Sequence, residues 1–399
     1  MFGMGDICYN SLDVFTLQLA SALRGIGCEV DILEVHGNKG YSEKLIEMFE
    51  KRHYDAAISF NSAGEGSLKF KNGEYLFDHY KIPYLLYLID HPMDHIEKIL
   101  DSGRYFHTIC IDRDHVEYLK KGFPAKSECF FALPGGIAPS TETDISHDAF
   151  EKRKYSLVFT GSRTDLNEVG KKIDNISPGL KNIAFKLLEL LLSCRHLNME
   201  QALDIILKDA GINASDTEAA AMEAMLNSVN IYARAYVREE AVRFIMASGF
   251  PFDIFGTGWD SVAEESAGNV IVHKSVSYGD IPELYLQSKL VLNVMPWFKN
   301  GSHDRIPMAM LAGAVAMTDH SRLLDEWFLK DEENGKRLIF YDIEHPEMLP
   351  EMITDVLSDD KKLSGIAGRG YEYAVKNLTW KKTAEDVIDI VRKVEMIHG

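Results

Sequence analysis

Residues 289–319, KLVLNVMPWFKNGSHDRIPMAMLAGAVAMTD, decide the fold class. Residues 290–295 form an apolar run too short for a helix and closed by Pro296, and residues 314–318 form a second run after Ala312-Gly313. Both read as buried strands. Ser302, between them, is a natural N-cap for a helix through His303, Asp304 and Arg305 to Leu311. Strand, glycine-containing loop (Gly301), helix and strand make a βαβ unit. At the helix start, free N–H groups and the dipole attract an anion, and Arg305 adds a guanidinium fork. The dipole contributes only ~0.3–1 kcal/mol, against roughly 1.5–3 kcal/mol for each charge-assisted hydrogen bond. Arg305 would therefore carry most of any phosphate binding. The competing reading is that Asp304 and Arg305 cap and solvate a surface helix.

The 399 residues suit two domains, each able to bury its own core. With 46% apolar and 26% charged residues the composition is that of a soluble globular protein. No apolar run reaches the ~18–20 residues of a membrane span and no leader pattern opens the chain, so a cytoplasmic location and no integral membrane segment are expected. The net charge of −18 disfavours nucleic acid as a partner, while leaving room for a nucleotide in a locally positive cleft. The five cysteines are scattered and never spaced Cys-x-x-Cys, and read as reduced core residues.

The first ~140 residues alternate helix and strand patterns, as a doubly wound sheet requires. Helix 10–25 is followed by strand 28–35, helix 42–52 by strand 55–60, and strands 84–89 and 106–111 end at Asp90 and Asp112. Gly3 and Gly5 suggest a turn that lets a substrate approach the backbone, with plain turn geometry as the alternative. So little precedes them that either the first strand is very short or the start lies upstream of Met1. Residues 134–152 read as a linker, and a strand at 155–160 opens a second domain, 153–378. A helical block at about 180–248 is assigned to scaffolding, with the acceptor side or a homo-oligomer contact as alternatives.

The segment LNVMPWFKNGSHDR followed by AMLAGAVAMTD resembles the donor-binding half of group-one, GT-B-type glycosyltransferases, particularly the branch of spore-maturation glycosyltransferase-like proteins. The likeness reaches back through HKSVSYGDIPELYLQSK, and YLLYLIDHPMDH is more loosely similar to the N-terminal domain of these proteins. The resemblance implies an α/β chain of two Rossmann-like domains facing a central cleft, with acceptor on the first and nucleotide sugar on the second. A C-terminal helix, 379–399, would cross back to the first domain. Many of these enzymes carry two glutamates around this loop, the second contacting the ribose. Asn300 and Met308 stand there instead.

Such an enzyme must stabilise a nucleoside diphosphate leaving group, which this family generally does without metal. Neither metal nor cofactor is expected, the nucleotide sugar, UDP-linked, being a substrate. On the donor side the expected residues are Arg163 after its strand, Gly256 and Gly258 in a close-approach loop, Tyr278 stacking on the base, and Gly301, Ser302, His303, Asp304 and Arg305. His303 either donates to a phosphate or orients Asp304. For acid/base catalysis the candidates are Asp90 and His91, with Asp90 placed to orient the imidazole. A retaining enzyme would use the same loop to hold sugar or acceptor. The expected function is sugar transfer from a nucleotide sugar to a protein, glycan or small molecule. An inactive nucleotide-sugar-binding or scaffold protein and a nucleotide-sugar epimerase stand as alternatives.

Overall fold

The structure is a computed structural model that describes every residue except 4–10, 36, 62–64, 127, 265, 267, 297, 330–334 and 399. Gly5 lies outside the described residues. Two units make up the chain, residues 1–135 with 379–399, and residues 136–378.

The first unit contains strands β1 (Phe2–Gly3), β2 (Leu33–Glu34), β3 (Ala57–Phe60), β4 (Tyr84–Leu88), β5 (Phe106–Cys110) and β6 (Cys129–Phe131). β3 to β6 form a parallel sheet in chain order, and β1 pairs with β2 in parallel. Every residue of β4, YLLYL, is buried, the signature of a parallel strand covered on both faces. The strand expected at 28–35 shortens to Leu33–Glu34, because Glu29 and Asp31 turn outward to Arg52 and leave that segment on the surface. The helix Trp380–His398 packs against the helix Ser11–Gly25. Its Trp380 ring lies 5.5 Å from Phe15 and 6.2 Å from Phe60. A Cβ on Gly135 would stand 2.1 Å from the Trp380 nitrogen, so only glycine passes there.

The second unit is built on β7 (Tyr155–Thr160), β8 (Phe252–Phe255), β9 (Val270–His273), β10 (Ser288–Asn293), β11 (Val315–Asp319) and β12 (Ile339–Tyr341). The order β12-β11-β10-β7-β8-β9 is parallel throughout. Strand order reverses between β7 and β10, and a ligand crevice belongs outside the carboxyl ends of those two strands.

Five helices fill the connection from β7 to β8: Leu166–Asp174, Pro178–Ser193, Met199–Asp209, Asp216–Met225 and Asn227–Ala247. Capping boxes at Asn198/Gln201 and Ser215/Glu218 fix the starts of the third and fourth. The last is part of the domain, since Val237, Ala241, Val242 and Ile245 share a core with Leu157, Phe159, Ile254 and Leu292. Among the described residues no helix is long and apolar enough to cross a membrane.

Glu223 is 4% exposed, and burial, with Glu200 nearby, pushes its carboxyl up to about 9. Unfolded, it titrates near ~4.3, so between those values the folded chain binds the extra proton and stability falls as pH rises. Glu223→Gln keeps the neutral form at every pH. It should raise the melting temperature at pH 9 by several degrees and leave it nearly unchanged at pH 5; equal gains at both would exclude the titration.

Candidate functional site

The loops after β7, β8 and β10 meet at the switch point. The first two glycine-containing loops lock together: Trp259 Nε1 donates to the Gly161 carbonyl at 2.7 Å, Thr257 N–H to Ser162 Oγ at 3.1 Å, and Arg163 N–H to the Thr257 carbonyl at 2.9 Å. A Cβ on Gly256 would lie 2.2 Å from the Gly161 oxygen, and Gly258 has φ +83°. Both glycines thus serve loop packing. Arg163, expected to reach the donor, is clamped instead: Nε and Nη2 donate to Glu239 at 2.8 and 3.1 Å. Glu239 is buried and also accepts from Arg243, so the fork is consumed fixing the β7 loop to the long helix.

The third loop differs from expectation at its helix. The helix runs Arg305–Leu311 with Asp304 at the cap position and no side-chain cap, and the Ser302 hydroxyl approaches the His303 carbonyl at 3.5 Å. Ser302 is not the N-cap, because the helix begins two residues later than the apolar pattern suggests. Two turns give a weak dipole, so side chains dominate here. Gly301 is buried and its carbonyl accepts from Ser321 Oγ at 2.7 Å. His303 Nδ1 sits 2.5 Å from Asp304 Oδ1, and the Tyr278 hydroxyl donates to Asp304 Oδ2. Tyr278, expected to stack on a base, thus anchors a carboxylate. Burial alone would raise the Asp304 carboxyl, but His303, Arg305 and Tyr278 outweigh it and hold it well below the usual range. Asp304 is a fixed anion that steadies the loop.

Arg305 reaches the end of β7, its Nη2 lying 3.8 Å from where a Cβ on Gly161 would stand. Its Nη1 is buried with no hydrogen-bond partner among the described residues, as is Nε of Arg238. Arg238 comes from the long helix, one turn after Arg234, and burial followed by repulsion from Arg305 and Arg234 lowers it to about 9. Asp319, at the end of β11, accepts from Met295 N–H at 2.8 Å. Its Oδ2 has no partner among the described residues, and burial lifts the carboxyl to about 6. Sequence reasoning passed over Arg234 and Arg238 because they sit in a block read as scaffolding. Their spacing was the available signal, since like charges four residues apart on a helix repel and persist where something else uses them.

In the first unit, the ends of β3 and β4 carry the Asp90 loop. Asp90 is exposed and accepts from Asn61 Nδ2 at 2.7 Å, while Asn61 Oδ1 accepts from Ile89 N–H at 2.8 Å. Asn61 has φ +49°, a conformation uncommon outside glycine and found at functional turns; it was not singled out from the sequence. Asp90 does not orient His91. The His91 ring is buried, accepts from Met93 N–H at 3.1 Å through Nδ1, and packs 4.2 Å from His115. Gly3 lies in β1, where a Cβ would meet the Glu34 carboxylate at 2.5 Å; this crowding comes from the protein itself.

Two parallel α/β units, the second with a basic loop at its switch point, give the fold found in GT-B glycosyltransferases. Residues 234–389 match the family described as glycosyl transferase-like, a span that starts at Arg234 and includes Arg238, Arg305 and Asp319. No curated protein matches the chain. Among solved structures, Anabaena HepE in complex with UDP-glucose is 12% identical, over 96% of each chain, with a TM-score of 0.50. WaaG, a glycosyltransferase involved in lipopolysaccharide biosynthesis, is 13% identical over 98% of this chain and 96% of its own, with a TM-score of 0.48. TarM is 10% identical over 77% of this chain, which spans only 54% of TarM, with a TM-score of 0.40.

Proposed function

We propose that this chain transfers a sugar from a UDP-linked donor to a protein, glycan or small-molecule acceptor, in the cytoplasm and with no metal at the diphosphate. The carrying observation is that two half-buried guanidiniums, Arg238 and Arg305, have donors without acceptors among the described residues at the β7/β10 switch point. An unmet buried charged donor is costly, and a diphosphate supplies the missing oxygens. In a chain of charge −18, this pocket concentrates positive potential where the leaving group would develop charge. Arg234 extends the positive field; Ser302, His303 and Asp304 shape the loop. The uridine assignment leans on HepE, whose complex contains UDP-glucose.

Asp90 is the acceptor-side base, held by Asn61, and His91 supports its loop. Asp90→Asn should lower the transfer rate by roughly 10²–10⁴-fold and leave UDP affinity unchanged. Loss of both together would make the loop structural. A second reading, nucleotide binding without transfer, is favoured by Met308, fully buried where the resembled enzymes place the ribose-contacting glutamate. The deciding test is a thermal-shift panel of UDP, GDP, ADP, dTDP and CMP with their sugar conjugates, followed by UDP release from the donor that binds. Binding with release supports transfer, binding without release the second reading, and no binding sinks both.

A further inference from the structure

Far along the chain from the donor loop, the first unit gathers two histidines and a carboxylate from three separate elements. His107 is on β5, and the parallel register that pairs Thr108 with Cys129 sets Glu128, just before β6, beside it. His398 ends the helix Trp380–His398. The Nε2 atoms of His107 and His398 are 2.8 Å apart, and Glu128 Oε2 is 3.5 Å from His107 Nδ1. One donor atom from each of the three lies within 4.8 Å of the others.

As a hydrogen bond alone the pair is poorly satisfied. Two neutral imidazoles hold two N–H donors and two lone pairs, and a single Nε2 contact uses one of each. The Nδ1 atoms of both rings are buried without a hydrogen-bond partner among the described residues, and an ion on the Nε2 side leaves them so; what an ion relieves is the facing of two Nε2 atoms at 2.8 Å, which as a hydrogen bond forces the two rings into opposite tautomers. A second observation points the same way: the ring of His398 is held by stacking on Tyr105, 4.0 Å between centroids and 14° from parallel. A ring held in this way suits ligation, for which rotamers must be fixed in advance.

We propose that His107, His398 and Glu128 form a site for a divalent transition-metal ion of the zinc type, pinning the end of the C-terminal helix to the edge of the first sheet. Imidazole and carboxylate are ordinary zinc ligands. Two tetrahedral nitrogens at ~2.05 Å from the metal stand about 3.3 Å apart, so the rings need to part by only about 0.5 Å from the present 2.8 Å, while the half-exposed Glu128 carboxylate, now beside Nδ1 of His107, has to swing round to the Nε2 side. Three protein ligands leave a position for water. Lys126 opposes the ion, but its ammonium is turned to the Ser102 carbonyl at 2.7 Å and the Ser102 hydroxyl at 2.8 Å. The site would clamp the far end of a helix whose first turn is already held by Trp380.

The test uses the full chain, purified without a histidine tag and stripped with a chelator. Zinc is titrated by calorimetry, cobalt by its visible ligand-field bands. One equivalent should bind, raising the melting temperature, and His398→Ala and Glu128→Gln should each weaken it by at least about tenfold, the lower cost of losing even an outer-sphere partner. Both variants lie at the rim of the fold and should melt like the parent in chelator. Failure of the stripped parent to bind zinc, or equal binding by the variants, would overturn the site.

Discussion

Arg305→Ala should weaken nucleoside diphosphate binding by more than tenfold while leaving thermal stability nearly unchanged. A charge-assisted hydrogen bond contributes roughly 1.5–3 kcal/mol, and 1.4 kcal/mol is already a factor of ten. The stability half of the expectation follows from the neighbours. Arg305 depresses the Arg238 guanidinium and favours the Asp304 carboxylate, so removing it relieves a repulsion and loses an attraction, and the two offset. Arg238→Ala should act alike, and the double variant should lose more than the sum, because each arginine binds more strongly once the other is gone and so masks part of each single loss. Arg163→Ala should do the reverse: it leaves Glu239 short of a partner and costs stability. Calorimetric titration with UDP, beside thermal melts, reads both quantities. Undiminished UDP affinity in Arg305→Ala would remove this cluster from the donor site.

Trp380→Ala carries the largest expected stability loss, about 3–5 kcal/mol. Trp380 is 5% exposed and closes an aromatic group with Phe15 and Phe60, so truncation leaves a cavity bordered by rigid rings. The helix it opens is separated from the rest of its unit by the whole of residues 136–378. Loosening its first turn exposes the face presented to the helix Ser11–Gly25, with Thr383, which donates to the Leu133 carbonyl at 3.0 Å. Urea unfolding followed by circular dichroism should show the first transition shifted to lower urea, with UDP binding by the second unit retained. A midpoint unchanged within about 0.5 kcal/mol, the range of a neutral surface change, would show that the helix is held elsewhere.

Much of the architecture was legible because its signals are local. The buried runs of β4, β7, β10 and β11 announce themselves as short, continuous and apolar, which is how a strand covered on both faces must read. The loop between β10 and β11 stood out for the same reason, as a polar interval between two such runs. The strand at 28–35 was overread because alternating residues near a sheet edge satisfy the pattern without forming the ladder. Asp90 and His91 are adjacent in sequence, yet backbone geometry sends one to Asn61 and the other inward against His115.

The sequence by itself determined that this is a parallel α/β chain in two parts, with a basic loop suited to phosphate in the second, because periodicity and turn chemistry act over a few residues. Tertiary structure alone decided which arginines serve that loop. Strand order sets β7 against β10, and packing of the helix Asn227–Ala247 then carries Arg238 to Arg305 and spends Arg163 on Glu239. His107 and His398, 291 residues apart, meet for the same reason. Which partner a charged or polar side chain finds depends on burial and long-range docking, and no local pattern encodes either.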